Sequence, residues 1–202
     1  MTLTVRVAFA GLAKNLEITP DEEKTALGRR QDIYERLCKD LDIIDMVKSG
    51  SFHRDTKTKP LKDVDFLAIF RDTPENRKTY RDASPTVVIA AVQASLEKRY
   101  SGKVSPGRRS VRVWFGSDPE EPILSYDVVP AFRRKDGAFD IPDTELKKWI
   151  ATDPTVHADK ATAANKAADT KWKPVIKMVK GWNRQREEDL GYKPVKPRSS
   201  SR

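Results

Sequence analysis

Cysteine and histidine are nearly missing from this chain: Cys38, His53 and His157 are the only ones it has. A single thiol cannot close an internal disulfide, and one cysteine with two histidines cannot furnish the ligand set of a structural zinc. Disulfide scaffolds and zinc enzymes are therefore excluded. Long apolar runs are missing as well, none approaching the ~18 residues of a membrane-spanning helix. The first thirty residues also lack the charged start, apolar run and small-residue cleavage site of a secretory signal. The sequence reads as a soluble, cytoplasmic chain with no membrane partner.

What is present is a polar chain of 202 residues, 38% hydrophobic and 34% charged, long enough for one domain with an appendage. Lysine and arginine number 39 against 30 acidic residues, a net charge of +9, and that balance favours an anionic partner such as nucleotide phosphates or nucleic acid. The excess is concentrated: residues 171–202 hold ten basic and three acidic side chains. Such a run is either a solvated helix face with a tail or an anion-binding surface.

Val5, Phe9, Leu12 and Leu16 follow a helical spacing. Thr19-Pro20-Asp21-Glu22 combines an N-cap, a proline at the first helical position and a glutamate at the third, the signature of a second helix start. The stripe of that helix runs through Leu27, Ile33, Tyr34, Leu37, Cys38 and Leu41, so Cys38 is expected to be a small core residue. After a short segment at 46–49, Val64 to Phe70 has the composition of a central strand. Ser84-Pro85 opens a further helix. Ser110 to Gly116, the turn Asp118 to Pro122 and Ile123 to Val129 read as an antiparallel hairpin. Asp136-Gly137 makes a tight turn before Phe139 to Ile141. From Asp143 the spacing of Leu146, Trp149 and Ile150 predicts helix, continuing through an alanine-rich stretch with His157 and Asn165 and then through Trp172 to Trp182, with Pro174 in the first turn of the last helix. The tail from Gly191 has no periodicity and reads as disordered.

The chemistry concentrates in Gly50-Ser51-Phe52-His53-Arg54-Asp55-Thr56, followed by Asp63-Val64-Asp65 at the head of the apolar strand. Residues i and i+2 of a strand share a face, so Asp63 and Asp65 project together while Val64 and Phe66 pack on the other side. Two carboxylates so placed repel unless a cation lies between them, and oxygen ligands suit Mg²⁺, which fills its octahedron with water and phosphate oxygens. A glycine followed by serine brings backbone N–H groups and a hydroxyl against a phosphate. A third acid, Asp127, interrupts the apolar run Ser125 to Pro130, where an unpaired charge is costly. Metal ligation by all three would account for it.

Gly50-Ser51, Thr56, Asp63-Val64-Asp65 and the distant third acid resemble the signature of DNA polymerase β-type nucleotidyltransferases. More narrowly, GSFHRDTKTKPLKDVDFLAIF, SYDVVPAF and KPVIKMVKGWNR together resemble the cGAS/DncV-like nucleotidyltransferases, the bacterial cyclic-oligonucleotide synthases related to 2′,5′-oligoadenylate synthase. The resemblance runs from about residue 5 to about residue 190. It implies an α+β fold, a mixed sheet flanked by helices, divided into a palm with N-terminal helices at 1–150, the start of a helical lobe at 151–190 and a basic tail at 191–202. It further implies Asp63, Asp65 and Asp127 as catalytic metal ligands for Mg²⁺ or Mn²⁺, with Gly50, Ser51, Thr56 and Lys180 on the triphosphate.

The reaction so implied uses ATP, GTP or other nucleoside triphosphates to make a cyclic or linear oligonucleotide messenger in antiphage defence, with nucleic acid not required. Members of that family generally continue as a helical domain forming the far wall of the cleft, whereas this sequence stops at Arg202. The expectation is that most of that lobe is lacking, and that self-association or a partner chain completes the cleft. Two rival readings stay open at this point: a minimal nucleotidyltransferase that modifies a protein or RNA, and a truncated, inactive nucleotide-binding protein.

Overall fold

The computed structural model of the chain describes residues 4–117 and 124–191. Two helices open it, α1 (Val5–Asn15) and α2 (Pro20–Cys38). The second starts where the capping sequence requires: Thr19 Oγ1 accepts from the Glu22 N–H, and the Glu22 carboxylate accepts from the Thr19 N–H. β1 (Ile43–Lys48), the single turn α3 (Gly50–His53) and β2 (Asp63–Phe70) follow. Next come the short α4 (Pro74–Asn76), which runs into a wide π turn at Arg77–Arg81, and α5 (Pro85–Glu97). β3 (Val104–Pro106), β4 (Val111–Phe115), β5 (Leu124–Arg133), β6 (Phe139–Asp143) and β7 (Lys148–Thr152) complete the sheet, and α6 (Pro154–Ala167) and α7 (Trp172–Leu190) close the described chain.

The strands form one mixed sheet in the order β1-β2-β5-β4-β3, with β6 pairing the far end of β5 and β7 pairing β6. Among the described residues only β2 and β5 run parallel, and they lie side by side at the centre of the sheet. Alternation along these two strands sorts their side chains onto two faces. Val64, Phe66, Phe70, Tyr126, Val128 and Phe132 point to the face covered by Ala26, Ile33 and Leu37 of α2 and by Val88, Val92 and Leu96 of α5. Each of these larger side chains contributes roughly 1.5–3 kcal/mol by leaving water, and the Tyr126 hydroxyl is satisfied by donating to the Ala26 carbonyl at 2.9 Å. Leu67, Ile69 and Ala131 point to the other face and pack with Phe139 and Ile141 of β6. The acids at the strand heads stand on this second face.

At the sheet margin the structure departs from the expected pattern. Lys148–Thr152 is a strand, not a helix: Ile150 pairs with Ile141 and Trp149 with Pro142 in an antiparallel hairpin. The domain boundary expected at residue 150 therefore falls within β7. Cys38 is exposed, its thiol donating to the Ile43 carbonyl at 3.4 Å, because α2 ends there and leaves its last residue outside the core. The expected turn at 118–122 and nearly all of the tail, from residue 192 on, lie outside the described residues. Among the described residues no helix is long and apolar enough to cross a membrane.

Candidate active site

The site is built on the heads of the two parallel strands. Asp63 lies opposite Ser125, and Asp65 lies opposite Asp127, so register alone puts all three carboxylates on the same face. Ser125 Oγ donates to Asp63 Oδ1 at 2.7 Å, which fixes the outermost acid. Val64 and Phe66, between and beyond the acids, are completely buried on the opposite face, so a one-residue slip would drive aspartates into the core.

Asp127 is not unpaired. Arg112, directly across the antiparallel β4/β5 pair, reaches it with Nε to Oδ1 at 3.0 Å and Nη2 to Oδ2 at 2.9 Å, and Ser110 Oγ donates to Oδ1 at 3.4 Å. The cost of an acid in that apolar run is met by a guanidinium, a partner that the alternation of arginine with apolar residues in β4 contained but did not identify. Asp65 has no such fork. Burial, then the negative charges of Asp127 and Asp63, push its carboxyl up to about 6, with Arg54 and Arg112 pulling the other way.

Gly50 leads directly from β1 into α3 with φ +57, and the chain there is pressed against Asp65, while the Ser49 N–H donates to the Asp65 carbonyl at 2.9 Å. Ser51 is half-buried in the same turn, its carbonyl accepting from the Thr56 N–H at 3.0 Å. Thr56 is buried, and its two oxygens face Lys180: Nζ donates to the Thr56 carbonyl at 2.7 Å, with Oγ1 at 3.4 Å. Burial first, then the charge of Arg54, push the Lys180 amine down to about 8; Asp65 opposes this, and Arg184 and Lys177 add to it. Lys180 is thus a half-buried amine turned toward the loop between α3 and β2, within electrostatic reach of Asp65. Arg184, one turn further on, donates to the Lys59 carbonyl and, at 2.7 Å, to Thr58 Oγ1, so α7 holds the middle of that loop at Thr56, Thr58 and Lys59. α7 in turn is held close to α1 by Gly181, where a Cβ would stand 2.8 Å from Leu16 Cδ2.

The donor set fits a hard divalent cation: carboxylate oxygens only, one of them destabilised by its neighbours' charge. Among the described residues no three acidic, histidine or cysteine side chains are gathered closely enough to hold an ion by themselves. A hard cation at this face would take one or two of these carboxylates and complete its shell from water and substrate phosphates, as Mg²⁺ does. His157 is exposed on α6, and Asn165 Oδ1 accepts from the Lys173 N–H at 3.0 Å, a bond that joins α6 to α7.

Residues 1–165 match the Second Messenger Oligonucleotide or Dinucleotide Synthetase domain, SMODS. The chain belongs to the SMODS family. This SMODS chain is 30% identical over 150 residues to the cyclic AMP-AMP-AMP synthase of Acinetobacter sp. (strain ATCC 27244 / 9458), a match covering 70% of this chain and 40% of that protein. Its fold is similar to that of the Elizabethkingia meningoseptica CdnE cyclic dinucleotide synthase with GTP and Apcpp, at TM-score 0.66 and 16% identity over 93% of this chain and 69% of that one. It is also similar to Bradyrhizobium diazoefficiens CdnG in complex with GTP, at TM-score 0.62 and 18% identity over 76% and 45% of the two chains. At such identities the likeness is one of fold: a mixed sheet flanked by helices. The SMODS chain spans less than half the length of the Acinetobacter synthase.

Proposed function

We propose that this chain transfers nucleotidyl groups from nucleoside triphosphates and joins them into a cyclic or linear oligonucleotide messenger. The observation that carries the proposal is the register of β2 against β5, which sets Asp65 beside Asp127 with Asp63 on the same face, with Lys180, bonded to Thr56 of the loop before β2, within electrostatic reach of Asp65. In the reaction a ribose hydroxyl oxygen forms a bond to the α-phosphorus of a triphosphate, the bond to the bridging oxygen of the β-phosphate breaks, and pyrophosphate leaves. Asp63, Asp65 and Asp127 would hold Mg²⁺ or Mn²⁺, which when bound neutralises charge developing on the phosphoryl oxygens. Asp127 Oδ2 is the proposed acceptor of the hydroxyl proton. The backbone of Gly50 and Ser51 is proposed to meet the triphosphate, and Lys180, anchored by Thr56, to neutralise it.

The same reading divides the chain at about residue 150 into a palm and the start of a helical lobe, and assigns it to a cytoplasmic antiphage signalling role, as the family resemblance implies. ATP and GTP are the proposed donors. The test is incubation of the purified chain with labelled triphosphates and Mg²⁺ or Mn²⁺, followed by phosphatase digestion. Pyrophosphate release with phosphatase-resistant product supports cyclisation, pyrophosphate release with digestible product supports a linear oligomer, and no release under either metal sinks the proposal.

A further inference from the structure

Arg112 sets a cation, its own guanidinium, against one of the carboxylates proposed for the metal. Its guanidinium lies directly opposite Asp127 in the antiparallel register and engages both carboxylate oxygens, at 3.0 and 2.9 Å. Neighbouring Val111 and Val113 are completely buried on the other face, so Arg112 cannot turn inward, and its side chain remains about half exposed at the mouth of the site. The bond to Asp127 and the charges of Asp127, Asp63 and Asp65 all favour its charged form. It therefore feels the same three carboxylates that a divalent cation would feel.

From this geometry, and resting on the nucleotidyltransferase reading above, we infer that Arg112 is a positioning residue with two opposed effects: it fixes Asp127 and it competes with the metal for the acid cluster. A planar fork on both oxygens holds a carboxylate in one orientation, which a point charge such as lysine cannot do. A fixed positive charge beside the cluster also lowers the attraction for a second cation. Since each carboxylate oxygen has further lone pairs, an ion at Asp127 would have to share an oxygen with the fork or displace one of its arms. The chain would thereby bind metal weakly alone and strongly only when triphosphate oxygens add ligands and negative charge.

The test titrates Mn²⁺ alone against the full chain, reading free ion by its paramagnetic resonance signal, with thermal melting in parallel. Arg112→Gln is expected to bind Mn²⁺ at least about threefold more tightly than the wild type, and Arg112→Lys to stay within about twofold of it, because only the former loses the charge. Both variants are expected to release pyrophosphate more slowly at saturating Mn²⁺, since both lose the fork. If Arg112→Gln does not melt cooperatively, Arg112→Met is read in its place. Equal or weaker Mn²⁺ binding by the folded neutral variant overturns the competition, as does equally tightened binding by Arg112→Lys. Full turnover by Arg112→Lys overturns the positioning role. Asp65→Asn separates the two readings: Mn²⁺ binding that survives it removes the proposed metal site and this inference with it. Binding lost in Asp65→Asn but unchanged in Arg112→Gln overturns the inference alone.

Discussion

Gly50 and Asp65 claim nearly the same space: a Cβ built on Gly50 would stand 1.8 Å from Asp65 Oδ2 and 2.6 Å from its Cγ. The chain can enter the turn after β1 only as glycine, both for this contact and for its φ of +57. Gly50→Ala carries about 1–2 kcal/mol of backbone strain and must also move the carboxylate. The expected outcome is a lower melting temperature together with loss of pyrophosphate release. A variant with wild-type turnover would show that Asp65 has no fixed place in the chemistry.

Asp65→Asn is expected to behave in the opposite way with respect to stability. Three acids share one face of the sheet, and Asp65 is the one pressed by the charges of both others. Removing its charge relieves that repulsion without opening a cavity, so the melting temperature should hold or rise while nucleotidyl transfer is lost. Thermal melting and a pyrophosphate assay on the same preparation check both halves, and a destabilised variant would contradict the repulsion argument.

The acid face was legible because it depends on strand alternation, which is local. Asp63 and Asp65 needed only period two, and the start of α2 needed only Thr19, Pro20 and Glu22. The pairing of Arg112 with Asp127 is not legible in the sequence, since it depends on the register of β4 against β5. The spacing over β7 points to helix for a related reason. Leu146, Trp149 and Ile150 stand at helical spacing, yet Ile150 and Trp149 are claimed by Ile141 and Pro142 of β6, whose own place is set by the end of β5. The apolar residues of α1 mislead differently: Val5, Phe9, Leu12 and Leu16 keep a helical spacing, but the first three are exposed and only Leu16 is partly covered. Periodicity found the helix and could not say whether its stripe was covered.

A second acid site supports the fold rather than the chemistry. Asp143 at the end of β6 is fully buried and accepts from Arg108 Nε and Arg109 Nε, each at 2.8 Å, with a further bond from the Leu146 N–H. The Arg108 bond, against the cost of burial, holds the carboxyl well below the usual carboxylate range. A depressed folded value means that this stability is present above the unfolded value of about 4 and is lost as pH falls toward the folded one. Asp143→Asn should cost about 2 kcal/mol at neutral pH and should flatten the acid limb of the stability curve below about pH 4. Denaturant midpoints measured from pH 7 downward check this, and parallel curves for the two proteins would refute it.

Lys180 gives the remaining prediction, because its amine is pushed down to about 8 and so changes charge within an accessible range. The groups facing it are Arg54 from the loop, Asp65 from β2, and Arg184 and Lys177 from its own helix. Asp65, at about 6, is already ionised at neutral pH, and the arginines stay charged. Only the protonated amine can neutralise a triphosphate, so affinity for a non-hydrolysable triphosphate should fall as pH rises from 7 through 8 to 9. Bound phosphate favours the protonated form and shifts that fall upward. Lys180→Ala should weaken binding at pH 7 by roughly tenfold, the worth of one charge-assisted hydrogen bond, and should remove most of the difference between pH 7 and pH 9. Lys180→Arg should retain affinity across that range. Lys171→Ala, an exposed lysine at the start of the same helix, should change neither. Calorimetric titrations at the two pH values distinguish the cases: if Lys180→Ala and Lys171→Ala weaken binding equally, Lys180 is merely one charge on a solvated basic helix.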